Sequence, residues 1–249
     1  MRLKIILLIF LILILLNNIK YEFFMNNIIS QKLNLLVVIL SCKKNSHLWD
    51  SIIERDVDNM VIICGDKLDT DYKLDGKILY LNCNDYYEGL PEKMICAFDA
   101  ILRIEKFKNI THILKSDDHD NYFTKENITN ITNNSQIAKL DYVGQKLNKS
   151  KNVLGGRTWH FNKCSENSDW NDRPYEGEYT DWIDGGTSYI LSRNALEKIN
   201  SEYSSKDKDI VSREHIYEDL MVALILRKFN IYPTKLYYNI IGDKYIKKI

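Results

Sequence analysis

The stretch ILKSDDHDNYF, Ile113–Phe123, decides how the rest of the chain is read. Ile113 and Leu114 close an apolar run that reads as the end of a strand. Lys115, Ser116 and then Asp117, Asp118, His119 and Asp120 follow without a break. Carboxylates held this close repel one another, so packing alone gives a fold little reason to gather them. A divalent cation would offset the repulsion. Aspartate supplies hard oxygen donors suited to Mg2+ or Mn2+, and the imidazole of His119 tilts the choice towards Mn2+. Side chains two apart on an extended segment point the same way. Asp117 with His119 is therefore one candidate pair, and Asp118 with Asp120 is the other. Either pair leaves most coordination positions open, as suits a cation that bridges to a diphosphate. The competing reading is a solvated turn whose Asp and Asn side chains cap the next helix.

Outward from this stretch, the first half of the chain has a regular grammar. LNLLVVILSC (33–42) is a continuous β-branched run of the kind that forms a strand buried on both faces, and NMVIICG (59–65) and KILYLNC (77–83) read as two further strands. SHLWDSIIER (46–55) has helical spacing, with Ser46 placed as an N-cap. LPEKMICAFDAILRIEKF (90–107) is the clearest helix, with Pro91 in its first turn and Ile95, Phe98 and Ile101 on the 3.6-residue period. THILK (111–115) then delivers the acidic cluster at the carboxyl end of a strand. Strand, helix, strand, strand, helix, strand predicts an open α/β sheet, in which ligands bind beyond the carboxyl ends of strands. The second half is less regular. LDYVGQKL (140–147) reads as a strand and residues 148–181 as a long polar and aromatic loop. Gly185 and Gly186 turn into a short strand and a helix. YEDLMVALILRKF (217–229) is an amphipathic helix with Glu218 and Asp219 in its first turn, and IYPTKLYY (231–238) is a last strand.

The 249 residues are enough to bury a full core without disulfides. The net charge is zero, without the basic excess of a nucleic-acid binder. At the N-terminus, Arg2 and Lys4 precede an unbroken apolar run from Ile5 to Leu16, with no small-residue cleavage site behind it. We read residues 1–24 as an uncleaved signal-anchor, 25–32 as a short stem and 33–249 as the functional domain. That arrangement puts the N-terminus in the cytosol and the bulk in the lumen of the Golgi or endoplasmic reticulum, or outside the cell if the segment is cleaved. The five cysteines show no CxxC zinc spacing. Sequons at Asn109, Asn127, Asn130, Asn133 and Asn148 fit a lumenal address.

DYYEGLPEKMICAFDAI followed by THILKSDDHDNYF resembles glycosyltransferase family 31, the β-1,3-galactosyltransferase-like and fringe-like enzymes. Asp85, Tyr86, Leu90, Lys93, Lys115, Asp117 and Asp118 match the order of that family's motifs. WIDGGTSYILSRNALEKI resembles its glycine-x-glycine-tyrosine segment, and YEDLMVALIL its glutamate-aspartate-valine helix. The resemblance runs from about residue 33 to the end. It implies a GT-A fold, a UDP-sugar donor, usually Mn2+, and transfer with inversion to a glycan or glycoprotein hydroxyl. By the same resemblance the acidic cluster would hold the metal against the diphosphate, with Ser41 and Lys115 near the donor. Asp219 would be the general base, with Glu218 as the second choice. Gly185, Gly186 and Trp182 would line the donor or acceptor loop. Each has a plainer reading: the acids as first-turn helix residues, the glycines as a turn, and Trp159, His160, Trp170 and Trp182 as packing or as sugar-stacking groups. The family's third aspartate is His119 here, its arginine-x-threonine-tryptophan after the first strand is not visible, and no histidine follows His215. An inactive binding protein of the same fold and a metal-dependent phosphoesterase are the rival functions.

Overall fold

A computed structural model describes residues 33–119, 123–152 and 156–238. The predicted signal-anchor and stem, and Asp120 of the acidic cluster, lie outside the described residues. No helix among the described residues is long and apolar enough to cross a membrane.

The chain builds strands β1 (Leu35–Leu40), β2 (Met60–Asp66), β3 (Tyr72–Asp75), β4 (Ile78–Asn82), β5 (His112–Asp117), β6 (Tyr142–Gly144), β7 (Leu147–Asn148), β8 (Trp182–Ile183), β9 (Tyr189–Ser192) and β10 (Thr234–Lys235). The helices are α1 (Trp49–Ile53), α2 (Leu90–Arg103), α3 (Lys125–Thr132), α4 (Arg193–Glu202), α5 (Lys208–Glu214) and α6 (Glu218–Lys228). Eight strands form one mixed sheet in the order β10-β6-β9-β5-β1-β2-β4-β3, and β7 pairs with β8 alone.

The continuous apolar run of β1 is explained by its place near the sheet centre. Leu36, Val38 and Leu40 face one core with α2, α4 and α6, while Leu35, Val37 and Ile39 face a second with Trp49, Phe123 and Ile128. All six β1 residues are buried. α2 begins with Pro91 in its first turn, where the missing N–H costs no helical bond. Ser46 does not cap α1: it lies in a 3-10 turn, Lys43–Leu48, and Leu48 occupies the cap position without a side-chain bond. The predicted strand at 140–147 divides into β6 and β7 in two different sheets.

Register carries the function. β1, β2, β4 and β5 run parallel, whereas β9 runs antiparallel between β5 and β6. From β1 the chain moves outward to β2 and β4, then returns across β1 to place β5 on its other side. β1 and β5 therefore meet where the strand order reverses, with Leu40 beside Asp117. A crevice outside the carboxyl ends of two such strands is the expected ligand position in an open α/β sheet.

Candidate active site

Ser41, just past β1, and the end of β5 face each other across this crevice. The buried Asp118 accepts hydrogen bonds at Oδ2 from Ser41 Oγ (2.7 Å) and Asn45 Nδ2 (2.9 Å), and its Oδ1 lies 2.7 Å from His119 Nδ1. Trp49 Nε1 in turn donates to Ser41 Oγ at 2.8 Å. Asp118 thus fixes one side of the His119 ring, while the ring itself is exposed. A carboxylate bonded to the far nitrogen of a metal-binding imidazole orients the ring in the same way.

Asp117 points to the opposite face. Its Oδ1 accepts from Lys115 Nζ at 2.7 Å, and the structure records no partner for Oδ2 among the described residues. The next helix, α3, is capped by Thr124 in a reciprocal box with Asn127, so the described acidic residues are not spent on capping it.

Lys115 and Asp117 share a strand face because they are two apart, and that face looks onto the start of α6. Lys115 is 1% exposed and pairs with both Asp117 and Glu218, each at 2.7 Å, while donating to the Gly185 carbonyl at 3.0 Å. Burial opposes its charge, but the two carboxylates outweigh burial and hold the ammonium above its ordinary value.

Glu218 and Asp219 are neighbours in sequence with unlike surroundings. Glu218 is buried, with Oε1 on Lys115 and Oε2 accepting from the Tyr189 hydroxyl at 3.0 Å. Asp219 is half-buried, and it accepts from Gly185 N at 2.9 Å and Leu220 N at 2.8 Å. Burial, reinforced by the Glu218 charge, pushes its carboxyl up to about 7. A group poised there is suited to accept a proton near neutral pH.

The glycine turn, Gly185–Thr187, fits tightly between these groups. A Cβ at Gly185 would collide with Glu218 Oε1 and come within 3.1 Å of Lys115 Nζ. A Cβ at Gly186 would stand 3.8 Å from Asp117 Oδ2. Ser188, which closes the turn, is buried at φ 96° and ψ 150°, a conformation nearly reserved for glycine. Trp182 is half-buried in β8 and packs against Tyr179.

A second buried ion pair supports the crevice from behind. Lys93, fully buried in α2, lies 2.7 Å from Asp85 Oδ1 and donates to the Ser41 carbonyl at 2.9 Å. Asp85 also accepts from Gly65 N and Lys43 N, each at 2.7 Å. Motif matching flags both residues but assigns them no place in the site. The signal for Lys93 is a charge on the helix face shared with the buried Ala97 and Ala100.

The family model described as Galactosyltransferase matches residues 64–237. The chain belongs to this family. Membership makes glycosyl transfer, with a sugar donor and a glycan acceptor in the general sense, the class of activity for this galactosyltransferase-family protein. The matched residues include β5 with the acidic cluster, the glycine turn and the Glu218–Asp219 pair. No curated protein matched the chain.

The residues fit a divalent cation only in part. Asp117 Oδ2 and the exposed ring of His119 are suited to contribute, whereas both Asp118 oxygens are already engaged. Among the described residues no group of three or more His, Cys, Asp and Glu side chains is arranged to hold a metal.

Proposed function

We propose that this protein transfers a sugar from a UDP-sugar to a glycan hydroxyl with inversion, on a GT-A fold, with Asp219 as general base. The observation that carries the reading is the division of labour in the acidic pair. Glu218 is buried with its oxygens held by the Lys115 ammonium and the Tyr189 hydroxyl, while Asp219 is half-buried, meets only the backbone N–H groups of Gly185 and Leu220, and is raised to about 7. A base must have a lone pair within reach of the acceptor proton and an affinity for it near the working pH.

In this reading Asp117 and His119 hold Mn2+ or Mg2+, and Asp118 orients the imidazole. The cation supplies Lewis-acid stabilisation for the departing diphosphate. Ser41 and Lys115 shape the donor side, and Gly185 and Gly186 let the backbone come close to the sugar. Lys115 offsets part of the upward push that burial and the Glu218 charge exert on Asp219. The acceptor hydroxyl approaches Asp219, which takes its proton as the new bond forms on the face opposite the leaving group. A β-1,3 linkage and a type II lumenal placement belong to the same proposal.

The test is calorimetric titration of the full chain with UDP, with and without Mn2+, followed by transfer assays. The expected results are Mn2+-dependent binding that is lost in Asp117→Asn with His119→Ala, and intact donor binding without transfer in Asp219→Asn. Transfer surviving within a few-fold in Asp219→Asn overturns the assignment of the base, and metal-independent UDP binding overturns the metal site.

A further inference from the structure

Five cysteines are scattered along the chain, and folding sorts them. Cys64, fully buried on β2, belongs to the core on one face of the sheet. Cys164 lies in the loop region with Sγ 3.7 Å from the His160 carbonyl. Cys83 and Cys96 instead meet on the other face. Cys83 directly follows β4 and is half-buried, Cys96 is 3% exposed on α2, and both belong to the core that α2 shares with the sheet. Their thiols hydrogen-bond to each other.

The backbone around them is tied in the same place. Asn84 N, next to Cys83, donates to Glu92 Oε1 at 3.0 Å, and Glu92 stands one helical turn before Cys96 on the same face of α2. Between the two cysteines in the chain, Lys93 pairs with Asp85 at 2.7 Å. A buried thiol by itself is a small apolar side chain, but two thiols in contact across a short loop are one exchange reaction away from a covalent bond.

We infer that Cys83 and Cys96 form a disulfide that clips the end of β4 to α2. The bond closes residues 83–96 into a loop around Asp85 and Lys93, whose ion pair supports the Ser41 carbonyl from behind. The support of the crevice then depends on the redox state of the surroundings. The oxidant is a disulfide such as oxidised glutathione. The Cys83 thiolate attacks one of its sulfurs and expels one glutathione thiolate. The Cys96 thiolate then attacks the Cys83 sulfur of the mixed disulfide and expels the second. The two cysteines lose two electrons, and their protons pass to the two glutathione thiolates. Contact with Cys96, and then burial, raise the Cys83 thiol, so the exchange is slow in the finished fold and belongs to folding.

The test is refolding of the full chain from urea in detergent, either with oxidised and reduced glutathione or with dithiothreitol. Free thiols are then blocked, and the peptides are mapped by mass without reduction. The expected result is a Cys83–Cys96 linked peptide in the glutathione product alone. Oxidation is expected to raise the thermal midpoint by about 5 °C or more, and Cys83→Ala with Cys96→Ala to abolish that rise. Blocked thiols at Cys83 and Cys96 after oxidative refolding, a link from either one to another cysteine, or equal midpoints in the two products overturn the inference. The mapping uses the wild-type chain, so it decides even where the double variant fails to fold.

Discussion

Replacing Asp219 by Asn gives a test that needs no substrate. In wild type the folded carboxyl titrates at about 7, against an ordinary 3.8. For an acid, a raised folded value means that folding opposes ionisation. The cost is absent below about 3.8, grows through the window up to about 7, and is constant above it. The full gap corresponds to about 4 kcal/mol, which solvent reaching the half-buried group screens to about 2 kcal/mol. Asn removes this charge cost and keeps one carbonyl acceptor, as does the protonated carboxyl that the folded wild type carries at pH 4. The variant is therefore expected to match wild type to within about 0.5 kcal/mol at pH 4 and to be about 2 kcal/mol more stable at pH 8. Urea denaturation followed by far-UV circular dichroism across that range reads the divergence directly. A stability difference that does not change with pH refutes the reasoning, because it shows that Asp219 ionises as freely in the fold as in the open chain.

Transfer by wild type at saturating substrates should fall about tenfold per pH unit below about 7, since the base must be ionised; a rate that holds level down to pH 5 counts against Asp219. Lys115→Met should cost about 3 kcal/mol or more by leaving Glu218 buried without its cation, and a change under 1 kcal/mol in chemical denaturation would contradict the central ion-pair network. Ser188→Gly should raise stability by about 1 kcal/mol, the relief at φ 96° less the entropy of glycine and a 3.3 Å contact with the Tyr238 hydroxyl. An unchanged or lower unfolding midpoint in guanidinium would show that the Ser188 backbone carries no strain.

The parts legible in the sequence are those where one physical signal dominates. β1, β2 and β5 are buried on both faces and read as unbroken apolar runs, and α2 declares itself by period and by Pro91. β3 is missed because YKLD is a short edge strand with alternate residues exposed, too brief to separate from a turn. α5 is missed for a similar reason, with Val211 its one buried residue. The acidic cluster is visible as chemistry, but its internal roles are not. Nothing in DDH says that the middle aspartate turns inward to Ser41 and Asn45, because those partners are more than 70 positions away. The unlike surroundings of Glu218 and Asp219 are equally hidden, since they depend on which one meets Lys115. The glycine pair reads as a turn, and only the packed structure shows that a methyl group at Gly185 would strike Glu218.

The antiparallel position of β9 has a consequence for how the protein is made. β5 ends at Asp117 and β6 at Gly144, yet the strand that joins them is not synthesised until Tyr189–Ser192. Until then β5 bears an unpaired edge, and β6, whose partners β9 and β10 both come later in the chain, has no partner strand. Pairing of β9 joins β6 to the sheet and, because the glycine turn leads directly into it, brings Gly185 against Lys115. Glu218 and Asp219 follow about 30 residues later. At ordinary elongation rates of roughly 5–20 residues per second, assembly of the site trails the acidic cluster by several seconds. A nascent chain stalled before residue 189 would expose the β5 edge and the unpaired β6 to other chains, which makes that interval the time when a chaperone is most needed.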